Sequence, residues 1–385
     1  MQGVKTYQTL KGTRVTIFEK SFNEGAEGNV HKIAEGNGKD THCVKLFKHN
    51  NANTPNERLK KKEREKRIIY MIDHPPKGYL TNRFKICWPV DGLVQNNELI
   101  GFVMPFSGNS IQLYHLCKIG NVNHSVSYDY TQYSRNTLNG SRARLQLCNN
   151  IAAAIYRLHI HGLYTIVDLK PSNVLVTPDG KVSIIDCDSI QITSNGKTLF
   201  KSSMCTPEYI PPEYKLYQDK LVDRSWDFFA MAVIFYQVLF GIHPYTSTFS
   251  GEYEGVTMQE RISNALFVHG EKASKYLLQL APPHKNFMAT PRPLQMLFKR
   301  AFESDRFHFK NRPSTSDWGK LFHYYSREPF ILEREPPIRK TKTINYKKKA
   351  PVVNTKSTKD NSWVKVCISF LIWIVLIAGL LVLLN

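Results

Sequence analysis

The sequence predicts an α+β protein of two lobes, β-rich at the N-terminus and helical at the C-terminus, followed by a basic linker and a C-terminal transmembrane helix. Three observations predict it. Short apolar segments broken by glycine turns fill residues 12–107; helical patterns dominate from Ser141 to residue 325; and Val366 to Leu384 is an unbroken apolar run of 19 residues, about the length that crosses a hydrocarbon core. The expected boundaries are 1–107 and 108–325 for the two lobes, 326–362 for the linker and 363–385 for the anchor.

The N-terminal elements follow from alternation and turn chemistry. "RVTIFEKSFNEGAEGNVHKIAEGNGKDTHCVKLF" reads as three antiparallel strands turning at the glycines and at Asn37-Gly38. "PNERLKKKEREKRIIYMI", residues 55–72, has high helix propensity and apolar Leu59, Ile68, Ile69, Met71 and Ile72. "KICWPV", "GLV" and "ELIGFVMPF" supply further short strands. In the C-terminal half, "SRARLQLCNNIAAAIYRLHIHG" is a helix. "DFFAMAVIFYQVLFG" from Asp227 is apolar nearly all round, which predicts a central buried helix.

Composition narrows the functional classes. The net charge is +20, but much of it lies between Ile338 and Lys365, where nine basic residues face Asp360 alone. With Lys347, Lys348, Lys349 and Lys365 on the N-terminal side of the apolar run, the preceding domain is expected in the cytoplasm. The seven cysteines (43, 87, 117, 148, 187, 205, 367) are scattered, with no C-x-x-C pair, and are read as reduced thiols. The N-terminus has no long apolar core of a signal peptide. No finger or helix-turn-helix pattern stands out, so nucleic acid is not expected as a partner.

The chemistry concentrates in "YTIVDLKPSNVLVTPDGKVSIIDCDS", Tyr164 to Ser189. "NVLV" and "VSIID" flank "TPDGK", whose Asp179-Gly180 is a hairpin signal. That hairpin brings together Asn173 and Asp186, an amide oxygen and a carboxylate suited to a hard cation. Asp168 and Lys170 lie on the loop that enters it. "DLKPSN" followed by "IIDCDS" resembles the catalytic loop and metal-binding segment of eukaryotic-type (Hanks-type) protein kinases, with the same D-x-x-x-x-N interval.

Further matches fall in order along the chain. "NEGAEGNV" resembles the family's phosphate-covering loop, with Gly25, Gly28 and Val30 matching and Asn23 in place of the first glycine. "HCVK" puts Lys45 on the third strand, and "EREKRII" offers Glu65 as its ion-pair partner, with Glu63 as the alternative. "CTPEYIPPE", with Thr206, resembles the end of the activation segment. Asp227 resembles the aspartate that opens the family's buried helix, and Arg312 of "NRPS" is a partner for Glu213.

The resemblance implies ATP and Mg²⁺ as cofactors and protein substrates. Asp168 would orient the hydroxyl and Lys170 stabilise the moving phosphoryl; Asn173 and Asp186 would hold magnesium, and Lys45 the phosphates. Met104 would back the adenine pocket, Pro105 to Ser107, including Phe106, would meet the base edge, Val30 would cover the ring and Leu175 floor it. "DLKP" and Thr206 are closer to the serine/threonine branch, and Asp186 to Gln191 ("DCDS.Q") resembles a bacterial membrane-anchored group. The implied activity is a serine/threonine kinase acting near a membrane; the alternative is a pseudokinase scaffold.

Two departures stand out. Ile166 and Val167 replace histidine and arginine before Asp168, and Cys187-Asp188 replaces the phenylalanine and glycine after Asp186. Asp188 is open between a helper ligand for magnesium, a turn cap and a structural hydrogen-bonding residue. Without the arginine a phosphorylated activation loop lacks its usual anchor. Phosphomimetic or alanine changes at Ser202 and Ser203 should therefore alter the phosphorylation rate by less than about tenfold, a span of about 1.4 kcal/mol.

Overall fold

A computed structural model describes residues 3–25, 27–48, 54–119, 128–202, 205–217, 222–303 and 308–333. The linker from 334 and the apolar run 366–384 lie outside the described residues. Among the described residues no helix is long and apolar enough to cross a membrane.

The N-terminal lobe holds strands β1 (Val4–Thr9), β2 (Arg14–Phe18), β3 (Asn23–Glu24), β4 (Gly28–Glu35) and β5 (His42–Phe47), helix α1 (Pro55–Asp73), then β6 (Phe84–Ile86), β7 (Asp91–Gln95) and β8 (Glu98–Pro105). Seven strands form one antiparallel sheet in the order β2-β1-β7-β8-β5-β4-β3, and β2 also pairs with β4, which closes the sheet on itself. Alternation fills the interior with Tyr7, Val15, Ile17, Ile33, Val44, Leu93 and Val103. Strand β1 was not among the strands expected from sequence. Helix α1 starts where Pro55 allows, with Thr54 and Glu57 forming a reciprocal capping box.

The C-terminal lobe contains β9 (Ile111–Gln112), α2 (Leu138–His159), β10 (Tyr164–Thr165), β11 (Val174–Val176), β12 (Val182–Ile184), β13 (Gln191–Ser194), β14 (Lys197–Phe200), α3 (Ser225–Phe240), and later helices including Arg292–Phe302 and Thr315–Arg327. β11 and β12 form the expected hairpin, pairing Val174 with Ile184. Its turn is longer than two residues: Thr177 N–H reaches Lys181 O at 3.0 Å, leaving Pro178 to Gly180 as the loop, with Gly180 at φ 82°. β6 pairs in parallel with β12, so the strand "FKI" belongs to this second sheet, which runs β6-β12-β11-β9.

Helix α3 is buried almost end to end, as its all-round apolar sequence requires. The carbonyls of its last turn, where helical partners run out, are met by two buried guanidinium groups. Arg144 donates to Val238 O at 2.6 Å, and Arg135 to Leu239 O at 3.1 Å and Gln237 O at 3.3 Å. A cation at a helix C-terminus is electrostatically favourable, which offsets part of the cost of burying it.

The packed domain runs beyond the expected boundary at 325. The last described helix continues to Arg327, Leu332 is buried, and the backbone returns to α2 and the segment before it through Leu332 N–H on Ser141 Oγ and Glu333 N–H on Arg135 O. Among the described residues six cysteines are free thiols, five buried and Cys205 exposed.

Three histidines of the C-terminal lobe are held neutral by burial. His243 is pushed down to about 4, with its Nε2 on Glu208 O; His284 to about 4, bridging Tyr236 Oη and Thr246 O; His269 to about 3, next to His284. The unfolded chain binds protons at these sites below pH 6.5 and the folded one does not, so stability rises with pH in this window. Stability should be complete above pH 6.5 and fall as pH drops from 6.5 toward 4, by up to about 1.4 kcal/mol per pH unit for each histidine. Urea unfolding across this range checks it, and His284→Gln should flatten the slope.

Candidate active site

Between the lobes lies a cavity of about 350 Å³. Asn23, Gly25, Gly28, Val30, Lys45, Met104, Phe106, Asp168, Lys170, Asn173, Leu175 and Asp186 all line it; among the ATP, metal and catalytic residues singled out in the sequence, Glu65 alone is missing.

The position of Asp168 is set from below. The carboxylate of Asp227, fully buried at the start of α3, accepts from Ile166 N–H at 2.8 Å, Val167 N–H at 2.9 Å and His159 Nε2 at 2.7 Å. Val167 sits at φ 65°, a conformation a β-branched side chain seldom takes, and the two amide bonds to Asp227 hold it there. The next residue is Asp168, whose carboxylate meets Lys170 Nζ at 2.7 Å and Thr206 Oγ1 at 2.6 Å. Lys170 also donates to Thr206 Oγ1 at 3.0 Å, so the three side chains fix one another. Thr206 is in turn placed by the segment behind it, where Arg312 and Glu213 form a bidentate ion pair with no exposure. Of the ion pairs expected from sequence, that of Arg312 with Glu213 is formed here.

Asn173 gives its amide hydrogens to Asp168 O at 3.0 Å, which leaves the amide oxygen for another partner. Ile185 N–H bonds to Asn173 O at 3.0 Å, tying the two ends of the β11–β12 hairpin. Asp186 follows, at φ 59° and ψ 34°, a left-handed conformation that aspartate tolerates. Its side chain remains 52% exposed. A carboxylate facing the cavity and an amide oxygen beside it are hard oxygen donors of the type Mg²⁺ takes, with phosphates and water completing the shell. Among the described residues no cluster of three or more His, Cys, Asp or Glu side chains could hold a metal.

The Lys45 pair differs from expectation. Its ammonium lies 2.9 Å from Asp186 Oδ1 and 2.9 and 3.0 Å from the two carboxylate oxygens of Asp188. Burial alone would lower its pKa, but Asp188 first and Asp186 next outweigh that and raise it. Glu65 does not pair with Lys45, and neither does Glu63, which reaches Arg67 at 3.7 Å. The reason is the face α1 presents: Arg67, Ile68 and Met71 are buried, while Ile69 is 43% exposed. Of the readings open for Asp188, the structure shows the hydrogen-bonding one: both its carboxylate oxygens meet Lys45 Nζ.

One end of the cavity is apolar. Met104 lies at the back with the buried thiols Cys43 and Cys87; burial raises both, Cys87 to about 12, so they stay protonated. At the front, Phe22 and Phe106 meet edge to face at 5.4 Å, with Lys32 Nζ over both rings. Phe22 went unread in the sequence; its signal was an aromatic directly before the glycine loop. Phe106 N–H is taken by Thr41 O at 2.8 Å and Phe106 O by Lys85 Nζ at 2.8 Å.

A family model for the protein kinase domain matches residues 18–306, and the chain belongs to the Hanks-type protein kinase family. It is 23% identical over 313 residues to "Protein kinase YegI" of Escherichia coli K12, covering 79% of this chain and 44% of that one. It is 24% identical over 341 residues to "Protein kinase C-like 2" of Schizosaccharomyces pombe (86% and 29%), and 24% identical over 335 residues to the "RAC family serine/threonine-protein kinase homolog" of Dictyostelium discoideum (84% and 64%). The chain thus spans less than two thirds of the length of each.

The two loop glycines are not equivalent. A Cβ on Gly28 would stand 2.5 Å from Leu46 O, a backbone atom of the strand that carries Lys45, whereas one on Gly25 would meet Gly28 O at an ordinary 3.4 Å. Gly28→Ala should force β4 away from β5, raising KM for ATP and costing about 1–3 kcal/mol of stability. Gly25→Ala should change the melting temperature little; thermal melts and ATP titrations of the two variants check the contrast.

Proposed function

We propose that the chain is an ATP-dependent serine/threonine protein kinase that transfers the γ-phosphoryl of ATP to Ser or Thr hydroxyls of cytosolic proteins near a membrane. The observation that carries this reading is the arrangement of Asp168, Lys170 and Thr206, a carboxylate held by an ammonium and a hydroxyl at the floor of a cavity that Lys45, Asn173 and Asp186 also line.

Phosphoryl transfer needs in-line positioning and neutralisation of spreading negative charge more than covalent work by the protein. Asp168 orients the attacking hydroxyl and accepts its proton. Lys170, beside it, meets the charge that develops on the moving phosphoryl. Lys45 steadies the α- and β-phosphates, and Val30, Met104 and Leu175 enclose the adenine. Because Pro105 has no amide hydrogen and that of Phe106 is taken by Thr41, Ser107 is the hinge amide that serves the base edge. Asn173 and Asp186 would hold Mg²⁺, which when bound neutralises phosphate charge.

Support for serine/threonine specificity comes from "DLKP", from Thr206 on Asp168 and from the name of the Dictyostelium relative. Support for the membrane comes from the sequence alone: the run 366–384, preceded by lysines, reads as a single anchor that keeps the kinase domain in the cytoplasm. The basic linker adds attraction to anionic lipid heads.

Labelled ATP with Mg²⁺ and a generic protein substrate tests the reading. The wild-type chain should transfer label to serine and threonine, and Asp168→Ala should reduce transfer at least about 100-fold. Equal signal from both would overturn the catalytic reading, and tight nucleotide binding without transfer would favour a scaffold.

A further inference from the structure

Asp188 stands where the family pattern has glycine, and the reading above gives it no part. We propose that Asp188, rather than a glutamate of α1, is the residue that positions Lys45 for the phosphates of ATP. The proposal rests on the kinase reading for its purpose, though not for its geometry.

Three independent observations carry it. The first is a division of labour between the two aspartates. Lys45 contacts one oxygen of Asp186 but both oxygens of Asp188. The Asp186 side chain is 52% exposed while those of Asp188 and Lys45 are 10% and 7% exposed. Asp186 therefore faces the cavity and can turn to a cation without being unburied. Asp188 would have to leave a low-dielectric contact with an ammonium, and leaving that ammonium alone would be costly. A glycine here would give Lys45 no partner other than the carboxylate the cation also needs.

The second concerns α1. Bringing Glu65 inward means turning the helix by one residue, about 100°. That would draw fully buried Ile68 out toward solvent and carry Ile69 in. It would also disturb the bond from Trp88 Nε1 to Met71 O at 2.7 Å and lift the Arg64 guanidinium from the Phe47 ring, 4.0 Å away. The face that meets the site is thus basic and fixed by packing.

The third is what that basic face does. Arg67, buried, donates through Nη1 to Asp188 O at 3.2 Å and through Nη2 to Lys201 O at 2.5 Å. It ties the backbone of Asp188 itself to that of Lys201, farther along the same segment. In this arrangement α1 acts on Lys45 at one remove: Arg67 fixes the segment, and Asp188 fixes the lysine. Asp188 is a positioning residue, and the geometry of Lys45 depends on the start of the activation segment, not on the swing of α1.

The test uses the full chain with Asp188→Asn, Glu65→Gln and the wild type, each checked by thermal melt. One arm follows acetylation of Lys45 by acetic anhydride against pH, without nucleotide, by mass spectrometry. The other measures kcat and KM for ATP, with adenosine binding as a control for the base pocket. Asp188→Asn should shift the Lys45 labelling midpoint to lower pH and raise KM for ATP about tenfold or more, leaving adenosine affinity unchanged. Glu65→Gln should leave both within about twofold. A loss with Glu65→Gln, or unchanged labelling and KM in a folded Asp188→Asn, would overturn the proposal. Should Asp188→Asn fail to fold, the Glu65→Gln arm decides: unchanged KM and labelling support the proposal, and a change in either overturns it. If the wild type transfers no phosphoryl, the kinase reading fails, and the labelling arm still decides the role of Asp188.

Discussion

The site depends first on one buried carboxylate. Asp227 has no exposure and accepts from two successive backbone amides of the loop before Asp168 and from the histidine that ends α2. A charge in that position is strongly destabilising unless its oxygens are satisfied, so the helix α3, the end of α2 and the loop before Asp168 must fold together or not at all. That requirement also explains why Ile166 and Val167 serve where the family pattern has polar side chains: what Asp227 binds is their backbone. The strained φ of Val167 is the local cost, offset by two charge-assisted hydrogen bonds.

The same device recurs farther out. Glu213 and Arg312 form a second fully buried pair that fixes the segment carrying Thr206. Gln191 acts without charge, giving Nε2 to Val222 O at 2.8 Å and taking Val222 N–H at 3.0 Å, so that β13 holds the far end of the same segment. Around these anchors the apolar core supplies bulk stability, and the polar pairs choose which arrangement of loops is adopted.

Much of this was legible because it is local or ordered along the chain. The interval from Asp168 to Asn173, the hairpin that joins Asn173 to Asp186, and the wholly apolar helix behind Asp227 all follow from spacing, turn chemistry and periodicity. What was not legible is set by partners far away in sequence. In α1 the apolar residues 59, 68, 69, 71 and 72 leave the inward face uncertain by one position; packing of Ile68 and Met71 resolves it and turns Glu65 away. Arg67 is buried because its acceptors are carbonyls 121 and 134 residues distant. Local propensity favours a turn cap for Asp188, yet its partner Lys45 is 143 residues away on another lobe. The extension of the packed domain to Leu332 likewise rests on Phe330, Leu332 and two bonds from backbone amides, too little for a pattern to show.

The central claim is that two aspartates share the work around one lysine, Asp188 buried with it and Asp186 free for the cation. The most direct measurement is a crystal structure of the chain with Mg²⁺ and a non-hydrolysable ATP analogue. The account predicts that Asp186 leaves Lys45 for the cation beside Asn173 while Asp188 stays within about 3 Å of Lys45 Nζ. A structure in which Glu65 has moved onto Lys45 and Asp188 has turned to the metal would contradict it.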